Sequence, residues 1–249
     1  MTLRYLVISD IHGNLEALNT VLTVVQGRFD RTLVLGDLVG YGADPNAVVD
    51  RVRELGPHMA IRGNHDKVAA GLDDGESFNA VARSAVLWTY EALTPENRDY
   101  LTRLPAGPQA VDDLLEICHG TPFDEDAYLF DDLDALRAFE ASSRPVCLFG
   151  HTHVAVGFRY ADGGLEIVAG PGDTAGLVVE FTPEAKYLIN AGSVGQPRDG
   201  DPRAGAAIVD VEARKIELFR IPYPIEEAQR KIRLAGLPEV LAKRLSLGR

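Results

Sequence analysis

The chain has 249 residues, of which 46% are hydrophobic and 25% charged, and its formal net charge at pH 7 is −12. This length is sufficient for one domain with a sizeable core, and the acidic balance argues against duplex nucleic acid, which requires clustered Lys and Arg. No apolar run reaches the roughly 18 residues that cross a bilayer, and the first residues lack a signal-peptide core. We therefore expect a cytoplasmic protein without a membrane partner.

The first part of the chain predicts three strand–loop–helix units. Strands are expected over residues 3–8, 32–35 and 59–61, and helices follow Asn14 and begin at Asp44-Pro45. Successive units of this kind imply parallel strand pairing, and sites in such sheets form at the carboxyl ends of the strands. The polar residues expected at those ends are Asp10, His12, Asp37, Asn64 and His65.

Helical periodicity resumes over residues 77–103, where Ser77 is the predicted cap of one segment and Thr94-Pro95 opens another. The turn-like stretch 105–113 then leads into a strand over residues 114–118, which ends in His119-Gly120. His119 thereby joins the polar residues expected at strand ends.

Residues 121–134 form an acidic segment without Lys or Arg. One interpretation is a solvated loop that leads into a helix over about residues 132–141, whose first turn favours acidic side chains. The other is a lid that limits substrate size or screens out polyanions. The sequence leaves both open.

The sequence Gly150-His151-Thr152-His153 follows a short apolar run, residues 145–149, that is typical of a buried strand. In an extended chain, residues two apart point to the same side, so we expect His151 and His153 to face one site together. Neutral imidazole is the commonest metal ligand in proteins. His58 is the one histidine outside these strand ends, and we expect no partner role for it.

After His153 the pattern becomes mostly antiparallel. A hairpin is predicted over residues 154–168, with strands over 177–181, 187–189, 206–211 and 215–219, and two terminal helices over 225–246. We predict an α/β fold, a four-layer αββα sandwich of mixed sheets in a single domain over residues 1–249. Its predicted parts are a parallel half over about 1–76, a helical insertion over about 77–103, an antiparallel half over about 107–220 and C-terminal helices over about 225–246.

The expected donors at the strand ends are nitrogen and oxygen only. Cys118 and Cys147, the two cysteines of the chain, fall inside predicted strands and are interpreted as buried reduced thiols. Such donors suit Mn, Fe, Zn or Ni, with Mn favoured, rather than a structural zinc site. Two divalent ions, two aspartates and a bridging hydroxide sum to about +1, a centre that suits a phosphoester.

Five short motifs carry a family resemblance. Asp10-Ile11-His12, Gly36-Asp37, Gly63-Asn64-His65-Asp66, His119-Gly120 and Gly150-His151-Thr152-His153 resemble, in order, the motifs of the calcineurin-like metallophosphoesterases. The stretch from Asn190 to Arg198 is similar to the asparagine-x-glycine-serine stretch of the family's small bacterial and archaeal phosphodiesterase-like branch.

The resemblance implies a role for each matching residue. Asp37 would bridge two metal ions, and His65 would protonate the leaving group. Asp66 would be a helix N-cap or a local hydrogen-bond acceptor. Ser193 and Arg198 would contact substrate or serve turn chemistry. The remaining ligands fall into two sets: Asp10, His12 and His153 for the first metal, and Asn64, His119 and His151 for the second.

Two departures from the family's pattern restrict the substrate. The phosphoprotein phosphatases and the symmetric dinucleoside-tetraphosphate hydrolases carry an aspartate that partners the catalytic histidine and an arginine that binds phosphate. Gly40 and Tyr41 occupy those positions here. Phosphoprotein substrates are therefore disfavoured, and dinucleoside tetraphosphates to a lesser degree.

The sequence thus predicts a dinuclear metal-dependent phosphoesterase that uses a metal-bridging hydroxide, more suited to a small nucleotide-like phosphodiester than to a phosphoprotein. The alternatives are a dinucleoside polyphosphate hydrolase, a non-catalytic scaffold on the same fold, or a nuclease, which the acidic charge disfavours. A scaffold would be expected to have lost metal ligands. A monomer and a homodimer are both compatible with the sequence.

Overall fold

Two six-stranded mixed sheets form the centre of the computed structural model, which describes residues 3–170, 172 and 174–249. The strands are β1 (Arg4–Ile8), β2 (Arg31–Val34), β3 (Met59–Ala60), β4 (Gln109–Ala110), β5 (Leu115–Ile117), β6 (Val146–Phe149), β7 (Val156–Ala161), β8 (Gly164–Ala169), β9 (Val178–Glu180), β10 (Lys186–Asn190), β11 (Ala204–Asp210) and β12 (Lys215–Ile221). Sheet A has the order β3-β2-β1-β11-β12-β9, and sheet B has the order β4-β5-β6-β10-β7-β8.

Eight helices in the described part of the chain cover the outer faces of the sheets. They are α1 (Leu15–Val24), α2 (Pro45–Leu55), α3 (Asn64–Ala70), α4 (Ala80–Ala92), α5 (Pro95–Thr102), α6 (Asp132–Ala141), α7 (Ile225–Leu234) and α8 (Glu239–Leu245). None of these described helices combines the length and the apolarity that a bilayer span requires.

The alternation of side chains along β1 shows how the layers are built. Tyr5 and Val7 pack into the core between the two sheets, whereas Leu6 and Ile8 pack into the core between sheet A and its helices. Because successive strand residues point to opposite faces, an apolar run such as this is buried on both sides. The predicted four-layer αββα sandwich is confirmed.

The two sheets do not coincide with the two halves of the sequence. β11 runs antiparallel to β1 and so brings the end of the chain into the centre of sheet A. Its residues are apolar on both faces, which favours a central position. The predicted antiparallel second half is wrong for β6, which pairs in parallel with both β5 and β10.

Some element boundaries differ from the prediction. Helix α4 is capped by Asn79 rather than Ser77, because the Asn79 side chain accepts hydrogen bonds from the backbone of Val81 and Ala82. The short strand β4 lies in the stretch predicted to be turn-like.

Candidate metal centre

The loops that follow β1, β2, β3, β5 and β6 converge at one edge of the two sheets. Their backbones interlock: the amide of Asp10 donates to the carbonyl of Gly36, and the amide of His12 donates to that of Asp37. The amide of Gly150 likewise donates to the carbonyl of His119. The edge of the sheets therefore holds these loops in fixed positions relative to one another, as predicted for the carboxyl ends of parallel strands.

Left-handed backbone conformations are concentrated in this region. Seven non-glycine residues of the described chain have positive φ, and five of them are Asp10, His12, Asp37, His151 and His153, with φ between 50° and 67°. Such conformations are sparsely populated for residues with a side chain and cluster at functional sites. The extended conformation predicted for His151 and His153 is therefore wrong. Both lie in the left-handed region instead.

The turn between these two histidines sends them to different clusters. Asp10, His12, Asp37 and His153 bring one donor atom each to within 4.8 Å of one another, as do Asp37, His119 and His151. Asp37 is common to both clusters, and all six residues are buried. Asn64 adjoins the second cluster, with its Oδ1 3.3 Å from Nε2 of His119. This arrangement has the form of a two-ion site that shares one carboxylate.

A backbone carbonyl fixes the orientation of each of the four histidines in the clusters. In each case one ring nitrogen lies within hydrogen-bond distance of a carbonyl oxygen: His12 at 3.0 Å from Val39, His119 at 2.8 Å from Leu35, His151 at 3.1 Å from Asp126 and His153 at 2.6 Å from Gln196. A carbonyl only accepts, so that nitrogen carries the proton. When the ring is neutral, the opposite nitrogen keeps a lone pair, which is the arrangement of metal-ligating histidine.

Two of these lone pairs face each other. Nε2 of His12 lies 3.1 Å from Nε2 of His153, and Oδ1 of Asp10 lies 3.5 Å from the latter. Burial lowers the pKa values of His12 and His153 well below their ordinary value, so both rings are neutral. Neutral nitrogens and a carboxylate oxygen at these distances repel one another unless a cation lies among them. The donor set thus fits a divalent ion.

Charge in the second cluster is balanced by a proton. Burial opposes ionisation of His119, but the charge and hydrogen bond of Asp37 outweigh it and raise the pKa of His119 to about 10. Burial likewise opposes the charge of Asp37, yet the neighbouring histidines hold the pKa of that carboxyl well below its usual value. Burial raises the pKa of Asp10 to about 6. In the metal-free protein, the proton on His119 therefore supplies part of the positive charge that a metal ion would supply.

His65 differs from the other four histidines of the site. Its ring packs against His12, Tyr41 and Phe78, with centroid separations of 4.9, 4.5 and 4.6 Å. Its Nδ1 is buried without a hydrogen-bond partner among the described residues. Burial lowers the pKa of His65 to about 4.

The structure explains why glycine occupies position 40. A Cβ at Gly40 would lie 2.5 Å from Nδ1 of His65 and 3.0 Å from Nδ1 of His12, and Gly40 has a φ of +135°. An aspartate at this position is incompatible with this placement of the two rings. The departure from the family's pattern is thus tied to the position of His65.

Tyr41, the second departure, contacts the predicted substrate residue Arg198. Nη2 of Arg198 donates to the Tyr41 hydroxyl at 3.3 Å and to Oε1 of Gln196 at 3.0 Å, and its guanidinium lies 5.6 Å from the centre of the Tyr41 ring. The structure therefore brings Arg198 beside the aromatic ring that adjoins His12 and His65.

Ser193 lies beneath the site rather than facing it. Its hydroxyl donates to the carbonyl of Asp10 at 2.8 Å and accepts from the amide of Gln196 at 2.7 Å, and the residue is fully buried. This geometry favours turn chemistry over substrate contact for Ser193.

Asp66 acts as a hydrogen-bond acceptor, one of the two roles expected for it. Its carboxylate accepts from the amides of Val39 and Gly63 at 3.2 and 3.1 Å. It occupies the first turn of α3 and is not the N-cap, which is Gly63. The helix begins at Asn64, directly beside the site and three residues before the start that an N-cap at Asp66 would give.

The acidic segment contributes a wall of the site, through Tyr128, a residue that the sequence analysis did not single out. The ring of Tyr128 stacks on that of His151 with centroids 3.9 Å apart. Glu125 pairs with Arg62 at 2.9 Å and with Lys67 at 3.2 Å, and Lys67 also pairs with Asp126. The feature of the sequence that could have indicated this wall is the presence of Tyr128, an aromatic residue, within the acidic segment.

A cleft of about 370 Å³ opens beside the clusters. We call it the substrate cleft. Its lining includes Asn64, His65 and His151 on the inner side and Tyr41, Phe78 and Tyr128 around them. The candidate ligands are thus reachable from solvent by a small molecule.

Comparisons with known proteins agree with this geometry. The model of the calcineurin-like phosphoesterase superfamily domain matches residues 3–214. The uncharacterized protein MJ0912 of Methanocaldococcus jannaschii is 36% identical over 252 residues, which cover 98% of this chain and 97% of that protein.

Solved structures show the same relationship. A metallophosphoesterase from Sphaerobacter thermophilus is 38% identical, with a TM-score of 0.87 over 100% of both chains. The hypothetical protein PH1004 from Pyrococcus horikoshii OT3 shares the fold, with 21% identity and a TM-score of 0.78 over 99% of both chains. The convergent Asp/His clusters, the family match and these relatives lead to one conclusion: this chain belongs to the calcineurin-like phosphoesterase superfamily and is a metallophosphoesterase.

Proposed function

We propose that this protein is a dinuclear, metal-dependent phosphodiesterase that acts on a small nucleotide-like ester, with Mn²⁺ as the favoured ion. Asp10, His12 and His153 would hold one ion, Asn64, His119 and His151 the other, and Asp37 both. Two divalent ions in such a site acidify a water to a nucleophile and neutralise charge on phosphoryl oxygens. The protein's own residues orient the ester and supply the proton for the leaving group.

One observation carries this proposal. Four histidines of the site donate a ring N–H to a backbone carbonyl and turn the other nitrogen toward a cluster, whereas Nδ1 of His65 has no partner in the described chain. A histidine held in one tautomer suits a ligand, because its lone pair is fixed in direction. A histidine free of such a bond suits proton transfer, because neither nitrogen is committed.

His65 is positioned to protonate a leaving oxygen. It lines the substrate cleft beside the second cluster, next to Asn64 in the sequence. Burial keeps its ring neutral when the cleft is empty. A phosphoester anion beside the ring favours the charged form and raises the pKa, which draws a proton to the position where the leaving oxygen needs one.

Arg198 supplies positive charge for the phosphoryl group. Its guanidinium contacts two uncharged acceptors among the described residues, the Tyr41 hydroxyl and Oε1 of Gln196, and its buried Nε has no acceptor there. A partly buried cation without a counter-ion binds an incoming anion without first breaking an ion pair. The family pattern has a phosphate-binding arginine at the position of Tyr41. In this chain, Arg198, which lies beside Tyr41, would take over that role.

Metal reconstitution tests the proposal. Chelator-stripped protein should hydrolyse neither bis-p-nitrophenyl phosphate nor p-nitrophenyl phosphate, and added Mn²⁺ should restore turnover, chiefly of the diester. Faster restored turnover of the monoester would overturn the phosphodiesterase assignment. No turnover of either ester by protein that has bound two metal ions would overturn the catalytic proposal as a whole.

A further inference from the structure

We propose that Tyr128 and Phe78 form a stacking subsite for the nucleobase of a substrate that carries a single phosphate group. This proposal rests on the proposed function, because it assigns the part of the substrate that extends away from the metal clusters. The family motifs build the metal centre. The proposed subsite lies on two loops outside those motifs and would determine which organic group is bound.

The two rings stand against different histidines of the site. Tyr128 stacks on His151 with centroids 3.9 Å apart and an interplanar angle of 26°. Phe78 lies on His65 with centroids 4.6 Å apart. Both rings line the substrate cleft. An ester whose phosphate reaches the clusters therefore has its organic group between or against these rings.

Tyr128 is an exposed aromatic residue that directly precedes the buried residue Leu129. Its side chain is 40% exposed, whereas that of the next residue, Leu129, is 4% exposed and lies in the core. The ring of Phe130, which is 74% exposed, lies nearly parallel to that of Tyr128 at 4.9 Å, so the part of Tyr128 open to the cleft is the part that neither His151 nor Phe130 covers. Aromatic surface at the mouth of a polar cleft is a platform on which a planar base stacks, worth about 1–3 kcal/mol per base.

The charges of the cleft limit the number of phosphates. Its lining contains Asp73 and Asp126 as acidic residues and Lys67 as the one basic residue in the described lining. Lys67 is already paired with Glu125 and Asp126. A second or third phosphate away from the metals would meet carboxylates without a free cation. A nucleoside, which is uncharged and planar at its base, fits this wall better than a polyphosphate.

Direct binding to the metal-loaded protein tests the subsite without relying on turnover. The probes are AMP and ribose 5-phosphate, which share the phosphate and sugar but differ by the base. Because every 1.4 kcal/mol is a factor of ten, the stacking range predicts that wild-type protein binds AMP about 5- to 150-fold more tightly. ADP should bind no more tightly than AMP.

Variants identify the rings responsible. Tyr128→Leu and Phe78→Leu should each reduce the ratio of the two dissociation constants toward one, with ribose 5-phosphate binding unchanged. Tyr128→Trp should retain the ratio, since it keeps an aromatic face. Phe123→Leu is the matched control, because Phe123 lies on the same segment but outside the cleft, under the guanidinium of Arg137.

Three results would overturn the subsite. The first is equal binding of AMP and ribose 5-phosphate by wild-type protein. The second is equal weakening of both probes in Tyr128→Leu, which would mean that the ring only shields the clusters. The third is much tighter binding of ADP than of AMP. Each can occur while Mn²⁺-dependent diester hydrolysis persists, so failure of the subsite is distinguishable from failure of the proposed function.

Discussion

The floor and the wall of the substrate cleft are built on different principles. The floor consists of side chains that are at most 4% exposed, such as Asp10, His119 and His151, on backbones tied to one another. The wall consists of half-exposed rings and ion pairs on the loops that carry Phe78 and Tyr128. Metal ligands tolerate only small displacements, whereas a stacking surface needs only a flat apolar face. In our proposals, the floor accordingly carries the chemistry and the wall carries the choice of substrate.

The floor also stores strain that the wall does not. Asp10, His12, Asp37, His151 and His153 all have left-handed backbones, each of which costs on the order of 1–3 kcal/mol. Hydrogen bonds between the loops help to hold these conformations. Ions bound by the native state and not by the unfolded chain stabilise the fold further. Changes at the metal ligands of the floor should therefore alter metal content and stability together, and changes in the wall should alter neither.

The largest effect is expected for Asp37→Asn. The substitution removes the one carboxylate shared by both clusters, so occupancy of both ions should fall and diester hydrolysis should drop to the background rate. Elemental analysis after gel filtration measures the metal content, and thermal melting measures the stability that the ions contribute. Asp99→Asn, at an exposed position on α5, is the control and should keep both properties. Unchanged metal content in Asp37→Asn would refute the bridging role.

The next largest effect is expected for His65→Ala. Loss of a proton donor should reduce the rate by about 10²–10⁴-fold for esters with poor leaving groups, and much less for p-nitrophenyl esters, whose leaving group needs no proton. Metal content should stay at the wild-type level, because His65 belongs to neither cluster. His58→Ala, outside the site, provides the histidine control. If His65→Ala loses metal as well, the role of proton donor is wrong and His65 is a ligand or supports one.

The smallest of these effects concerns the pH dependence of metal binding. The pKa of His119, raised to about 10 by Asp37, means that the metal-free protein holds a proton there at pH 8. A metal ligand must be deprotonated, so metal uptake should release about one proton, and affinity should rise about tenfold per pH unit between pH 7 and 8.5. Calorimetric titration with Mn²⁺ in two buffers of different ionisation enthalpy measures the release. Affinity that is constant over this range would contradict protonation of His119.

A parallel consequence holds below pH 6. Burial raises the pKa of Asp10 to about 6, so this carboxyl gains a proton as pH falls through that value, and a second proton then competes with metal. The pH dependence of Mn²⁺ affinity should therefore steepen in acid. The wall offers a direct comparison, since Tyr128→Leu should leave this profile unchanged.

The sequence by itself determined the fold class and pointed to the residues that form the two Asp/His clusters. Apolar strands followed by polar residues are local patterns, and the ordered motifs from Asp10 to His153 identify the family without knowledge of distances. Helix starts with a clear cap, such as Asn14 and Thr94, were also predicted because capping is a local interaction.

Only the tertiary structure decided how these residues are grouped. Three features depend on segments that are far apart in the chain. They are the left-handed turn at His151 and His153, the exclusion of a side chain at Gly40 by His65, and the stacking of Tyr128 on His151. The same is true of the place of β11 in sheet A. Sequence periodicity reports which face of an element is buried, but not which other element covers it. Those pairings arise from packing of the whole chain, and here they separate a metal-binding floor from a substrate-facing wall.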